Sequence, residues 1–450
     1  MSNQKSSTFS ETFDSINKLF DEINLIPWDK ESIPQDKLDL TDKTRQSLFP
    51  WRGQFSPEFV ELLLRNYSDK TTVVFDPFLG SGTTIFEAAK LGFSCYGTEI
   101  NPSATVMAKT AEFVNMDLSK RQKIIAETEA IAREYLLPYQ WDLFSYQLRQ
   151  ERQINFCDSE PREEILTKIL ERGKIHPSIF NLLANAVIRY FNCRSYRKID
   201  DFLKALREHT AIVKNMPYSK NKCRVFQTDA RKVPLGDRSI NLIITSPPYI
   251  NVFNYHQNNR AAMEMMGWNL LEVAKSEIGA NRKHRQNRFL TVVQYALDLL
   301  DALKEMRRLI ADNGRVILVV GKSSKVRGVS IENGKLLAAI AIGGAGFVLE
   351  RRQERKFKNK FGELIYEDIL HLVPDDAKLI LGDEFARLVA CWMLTKSSAS
   401  ATTDEVRKEI LLARERASNV KKSPLFERIC KVRCGAPYGV ICKVRIARHT

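Results

Sequence analysis

The sequence predicts an α/β protein built on a doubly wound parallel sheet, and three observations carry that expectation. Two β-branched apolar runs, TTVVFDPF (71–78) and SINLIITSPPY (239–249), are bounded by turn-forming residues and read as buried strands. A glycine-rich turn, GSGTT, joins the first of them directly to a helix pattern, TTIFEAAKLGF. A second short strand, SCYGTEINP, follows and ends at Glu99. Strand, helix and strand in this order form a β-α-β unit, which implies parallel strands and a right-handed crossover.

The elements follow in order. Residues 1–45 are polar with a few apolar clusters and read as a loose N-terminal arm or short helices. SPEFVELLLRNY (56–67) is a helix with Ser56 as its cap and Pro57 at its first position. From 111 to 220 the pattern turns helical and charged, as in QKIIAETEAIAREYLLPY and KIDDFLKALREHTAIV, and is read as a helical insertion. The α/β rhythm resumes with CRVFQTDA (223–230) and SINLIITSPPY, then a long helix, an Asn-Gly corner and a buried strand over 294–321. GFVLERRQERKF and YEDILHLV supply a closing antiparallel pair. The expected division is therefore an arm (1–45), a catalytic domain (46–110 and 221–375), an insertion (111–220) and a basic C-terminal region (376–450).

A length of 450 residues suits two or three domains, or one large domain with insertions, at about 150 residues each. The formal charge of +15 fits a polyanionic partner, nucleic acid first, or a basic enzyme with a small substrate. No apolar run approaches the roughly 18 residues of a membrane helix, and the N-terminus shows no secretory signal. Eight scattered cysteines fit free thiols in a reducing, cytoplasmic setting. Residues 405–450 hold twelve Lys and Arg against four Glu, and Ile-Cys-Lys-Val-Arg occurs there twice, at 429–433 and 441–445. A small hairpin is the plain reading; Cys430, Cys434, Cys442 and His449 lack the paired C-x₂-C spacing of a zinc site, so no metal is expected.

The turn DPFLGSGTT sits where an α/β sheet binds a nucleotide-like ligand. Gly80 and Gly82 let the backbone turn tightly and come close to a ligand. No Gly-Lys-Ser/Thr follows, and Ile85 stands where G-x-G-x-x-G would need its third glycine, so a pyrophosphate is disfavoured. Glu99 is placed to accept from ribose hydroxyls, Asp229 from an exocyclic amine, and Asp76 to pair with an amino group. Ribose, amine and ammonium without pyrophosphate describe S-adenosylmethionine better than NAD.

Together, DPFLGSGTT, GTEINP and TSPPY resemble the amino-methyltransferases of DNA, and FPWRGQFSPEFVELLL (49–64) resembles the motif that precedes the glycine loop in that family. The resemblance covers roughly residues 46–110 and 221–375, with the glycine loop ahead of Ser-Pro-Pro-Tyr. It implies a Rossmann-like methyltransferase sheet and S-adenosylmethionine as methyl donor. Phe55, Asp76, Pro77, Phe78, Gly80, Ser81, Gly82, Thr83, Glu99, Ile100, Asp229 and Ala230 would form its binding site. Double-stranded DNA is the implied substrate, with a cognate restriction endonuclease as a further partner.

The chemistry of Ser-Pro-Pro-Tyr fits that resemblance. An exocyclic base amine is a poor nucleophile because its lone pair is delocalised into the ring. Acceptors placed against its N–H groups localise the pair, and Ser246 Oγ and the Pro247 carbonyl suit this. The Pro247-Pro248 corner fixes direction at little entropic cost, and Tyr249 would stack on the base. The base must first leave the duplex. No Pro-Cys nucleophile for carbon-5 methylation occurs. By resemblance, Ser in the first position favours cytosine N4 and Asp adenine N6, so a site-specific cytosine-N4 methyltransferase of a restriction–modification system leads. Adenine N6, an RNA base methyltransferase, or an inactive nucleic-acid-binding relative are the alternatives. Asn251, Asn254, Tyr255 and Arg260 follow the corner and would surround the flipped base. Arg282, Lys283, Arg285 and Arg288 suit phosphate contacts.

Overall fold

Seven strands form one sheet in a computed structural model that describes residues 2–40, 44–51, 53–136, 162–193, 195, 198–250, 254–279, 284–358, 362–377 and 380–427. They are β1 (Val73–Asp76), β2 (Ser94–Thr98), β3 (Cys223–Phe226), β4 (Ile240–Thr245), β5 (Ile310–Gly321), β8 (Phe347–Lys358) and β9 (Leu364–Pro374). A separate hairpin holds β6 (Ser323–Val326) and β7 (Val329–Glu332). The sheet order is β3-β2-β1-β4-β5-β9-β8. Strands β1 to β5 are parallel, and β9 is antiparallel to both of its neighbours. The chain winds outward from β1 to β3, then returns to β4 beside β1 and winds the other way. The reversal between β1 and β4 leaves a crevice at their carboxyl ends, where open α/β sheets bind ligands.

Strand alternation builds two cores, one on each face. Phe75, Ile243, Val316, Leu318 and Leu370 point to one side, where Leu290–Leu309, Asn333–Gly344 and Asp383–Ser397 cover them. Val74, Leu242, Ile244, Ile317 and Ile369 point to the other, beneath Pro57–Tyr67, Thr83–Lys90 and Pro102–Lys109. Buried residues of the helices Leu118–Leu136, Arg162–Gly173, Pro177–Asn192 and Asp201–Lys214 join this second core. The Asn-Gly corner at 313–314 lies inside β5 as an irregularity. The partner register jumps from Ile240–Ile310 to Leu242–Arg315.

The N-terminal segment is more integrated than composition implies. The N-terminal segment, expected as a loose arm or short helices, forms the helix Ser2–Leu25. Ile16, Phe20 and Ile23 make a buried stripe at helical spacing. Phe20 stacks on Trp392 with ring centroids 3.7 Å apart, and the Trp392 indole N–H donates to Asn17 Oδ1 at 2.7 Å. Ser56 precedes its helix as expected, but its hydroxyl donates to Glu58 rather than capping a backbone N–H. The twin Ile-Cys-Lys-Val-Arg segments and their cysteines lie outside the described residues.

Candidate active site

The crevice at the β1/β4 reversal opens into a cleft of about 890 Å³, counting its mouth to solvent. Four strand ends supply it: Asp76 to Ser81 after β1, Glu99 to Asn101 after β2, Thr228 to Ala230 after β3, and Ser246 and Pro248 after β4. Trp51, Gly53, Gln54 and Phe55 approach from one side, and Tyr255, Ser276, Glu277 and Ile278 from another. Of the twelve expected cofactor residues only Gly82 is absent from the lining. It holds the loop from behind instead. Its φ of +101° is left-handed, and a Cβ there would come within 2.9 Å of the Ala108 Cα.

Gly80 does line the cleft, and a side chain there would meet the Trp51 indole at 3.1 Å. Its N–H donates to Glu99 Oε2 at 2.9 Å, while the Asn101 N–H donates to Oε1 at 2.8 Å. The glycine loop and the acid after β2 are thus one unit, and each carboxylate oxygen retains acceptor capacity. Burial is the main cause that pushes the Glu99 carboxyl up to about 7; the two N–H bonds oppose it, and the nearby Asp76 and Glu277 carboxylates add to it. Burial likewise raises Asp76 to about 6, against bonds from Thr245 Oγ1 at 2.6 Å and the Phe78 N–H at 3.0 Å. That short bond ties the ends of β4 and β1 together.

A ligand that donates to Glu99 favours the carboxylate. Below about 7 the empty site carries a proton that such a ligand displaces. Affinity for S-adenosylmethionine is therefore expected to rise with pH up to about 7 and to level off above it. Calorimetry across that range checks this, and Glu99→Gln should bind more weakly with most of the slope removed.

Asp229 departs from its expected role. Oδ1 accepts from the Arg231 N–H at 3.0 Å and Nε at 2.8 Å; Oδ2 accepts from Arg231 Nη2 at 2.7 Å and the Phe426 N–H at 2.9 Å. Four bonds fill a carboxylate's acceptor sites, so Asp229 shapes the wall rather than receiving a ligand amine. Arg231 also reaches Asp298 at 3.2 Å and the carbonyls of Ser423 and Pro424. The stretch from Ser423 to Phe426 is thereby strapped against the cleft wall.

At the corner after β4, Ser246 faces the cleft, and the Pro248 carbonyl accepts from Tyr295 Oη at 2.9 Å. Pro247 is buried. The Tyr249 ring, expected as a stacking platform, lies behind the lining against Gly321, where a Cβ would come within 3.2 Å of Cε2. The rings facing into the cleft are Trp51, Phe55, Phe78 and Tyr255, and Trp51 and Tyr255 stand nearly parallel with centroids 6.3 Å apart. Behind Tyr255, the buried His256 shares a 2.8 Å bond with Glu277. Among the residues expected to touch DNA, Tyr255 lines the cleft and Asn254 is half-buried beside it. Arg260 is exposed and paired with Glu264, and Arg285 is exposed away from the lining. Asn251, Arg282 and Lys283 lie outside the described residues. Arg288 is half-buried and does not line the cleft. Trp51 and Gln54 went unassigned although FPWRGQFSPEF contains both; Glu277 carries no local signal.

Residues 2–110 match the family model described as DNA methylase. The chain is related to the S-adenosylmethionine-dependent DNA amino-methyltransferases. A type II methyltransferase of Methanocaldococcus jannaschii, M.MjaII, is 20% identical over 409 residues, covering 66% of this chain and 75% of that protein. Another, M.MvaI of Kocuria varians, is 35% identical over 86 residues, 19% of this chain and 18% of its own. Among solved structures, a SAM-dependent methyltransferase of Methanosarcina mazei covers 71% of this chain and 98% of its own, with 11% identity and a TM-score of 0.31.

S-adenosylmethionine is the methyl donor of this family, and the cleft's side chains fit it. Among the described residues lining it there are four acids, Asp76, Glu99, Asp229 and Glu277, and no Lys, Arg or His. Arg231 pairs with Asp229 from behind, so Asp76, Glu99 and Glu277 are the acids left to suit a sulfonium and an ammonium and to disfavour a pyrophosphate. The bare Gly80 backbone opens a cradle under Trp51, and Glu99 keeps acceptors for hydroxyl groups. No helix of the described residues is long and apolar enough to cross a membrane.

Proposed function

We propose that this protein methylates DNA on an exocyclic amine, with the N4 of a flipped-out cytosine as the target, as the modification activity of a restriction–modification system. The observation that carries the reading is the placement of Ser246. It follows the last residue of β4 at the sheet reversal and faces the same cleft as the glycine loop and Glu99.

When bound, S-adenosylmethionine supplies an electrophilic methyl group on a sulfonium. The chain's own residues do the rest by position. Gly80 and Glu99 hold the donor, with Trp51 and Phe55 closing one side. Ser246 Oγ accepts from the base amine and draws its lone pair out of the ring. The Pro247-Pro248 corner, with its second carbonyl held by Tyr295, keeps that acceptor aimed without further ordering. The parallel Trp51 and Tyr255 rings give a flat base an aromatic surface on which to stack. A neutral hydroxyl in the first position of the corner favours cytosine.

Incubation of unmethylated DNA with S-adenosylmethionine, followed by digestion to nucleosides, tests the choice of base. N4-methylcytosine is the expected product; N6-methyladenine would overturn the cytosine assignment and leave amino-methylation standing.

A further inference from the structure

The turn that carries Tyr255 is held to the start of one helix, and a single asparagine makes the tie. Asn101 is buried, lines the cleft beside Ile100 and immediately precedes the helix Pro102–Lys109. Its Oδ1 accepts from the Ser103 N–H at 3.0 Å and the Ala104 N–H at 3.2 Å, which caps that helix. Its Nδ2 donates to the Tyr255 carbonyl at 3.1 Å. Two backbone donors on one side and a backbone acceptor on the other allow the amide only this orientation. Its own N–H donates to Glu99 Oε1. Two further ties hold the same turn. Ser103 Oγ accepts from Asn259 Nδ2 at 3.1 Å, and Asn259 Oδ1 accepts from Asn192 Nδ2 at 2.8 Å. Between Tyr255 and Asn259, Glu277 receives the His256 N–H and shares a bond with its ring. The outcome is a Tyr255 ring within 13° of parallel to the Trp51 ring.

We propose that Asn101 is a positioning residue, whose side-chain amide fixes the Tyr255 ring, and with it the target base, relative to the donor held at Glu99. The inference rests on the reading above, in which the Tyr255 ring takes the flipped base. In-line transfer tolerates little misalignment between the methyl group and the attacking nitrogen. Donor and base come from different loops, one after β2 and one after β4, and two loops that merely pack together can shift against each other. Asn101 removes that freedom. Its main chain holds the acid on the donor side, and its side chain holds the backbone of the ring on the base side.

Asn101→Ser separates this role from capping. Serine caps a helix about as well as asparagine, but it is too short to reach the Tyr255 carbonyl. Asn101→Asp also keeps the cap and turns an acceptor toward that carbonyl. In both variants hydrogen–deuterium exchange over residues 254–259 should rise several-fold, while exchange over 102–109 stays at the wild-type rate. This readout needs no turnover, and loss of the cap alone would give the opposite pattern. With DNA, Asn101→Ser should lower kcat/KM about 3- to 10-fold, with the calorimetric dissociation constant for S-adenosylmethionine near wild type. Tyr255→Ala should lower kcat/KM about 10- to 100-fold. Adding Asn101→Ser to it should cost nothing more, because the ring that the amide positions is gone. Unchanged exchange over 254–259 in the folded Asn101 variants, or losses that multiply in the double variant, would overturn the proposal. So would a Tyr255→Ala protein whose donor affinity falls as far as its rate, since the ring would then serve the donor. Failure of the wild-type protein to methylate any DNA would instead remove the functional reading, a result distinct from an unchanged exchange rate.

Discussion

A Ser246→Ala variant is expected to lose methyl transfer by roughly 10²- to 10³-fold while binding S-adenosylmethionine almost as tightly as wild type. The argument is one of separation. The donor's expected contacts come from the loops after β1 and β2, with Gly80 and Glu99 joined by their own hydrogen bond. Ser246 comes from β4, and its neighbour Pro248 is anchored to Tyr295 through the backbone, a contact that the truncation leaves alone. The variant therefore removes one acceptor from a site whose walls stay in place. Initial rates on DNA and calorimetric titration with the donor separate the two quantities. A loss of donor affinity as large as the loss of rate would place Ser246 in the donor's site instead.

The largest effect on stability is expected from Arg231→Ala, at about 3–5 kcal/mol. Arg231 lies between Asp229 and Asp298, and all three are buried. Removing the cation leaves two buried carboxylates facing each other beside the cleft, together with the carbonyls of Ser423 and Pro424, which lose their donor. Asp298 would keep its bonds from the Ser423 N–H and hydroxyl, so release of the C-terminal strap should be partial. Chemical denaturation measures the loss, and limited proteolysis after residue 420 reports the strap. Arg231→Ala combined with Asp298→Asn should recover part of the stability, because one of the stranded charges is gone. A folded, fully stable Arg231→Ala protein with a protected C-terminal segment would show that the network is not what holds it.

What could be read in advance was local. The strands ending at Asp76 and Thr245 announce themselves through β-branched runs stopped by proline, β2 is a short strand that stops at Thr98 one residue before Glu99, and the residues just past all three line the cleft. What could not be read depends on pairings across long stretches of chain. Asp229 looked available because nothing near it shows that the Phe426 N–H, 197 residues on, occupies it. Tyr249 looked like a platform because its partner Glu367 lies 118 residues away on β9. Glu277 reaches the cleft only because a loop folds back beside His256. The N-terminal arm looked loose because its apolar stripe is short, and its partner Trp392 lies near the opposite end of the chain.

The central claim is that the cleft delivers a methyl group to a base amine in DNA. The most direct measurement is transfer of labelled methyl from S-adenosylmethionine to unmethylated DNA of varied sequence, with RNA run in parallel. The account predicts label in DNA, at the amine of one base within one sequence context, and none in the Ser246→Ala reaction. Label confined to RNA, or no label in any DNA from a protein that binds the donor, would contradict it.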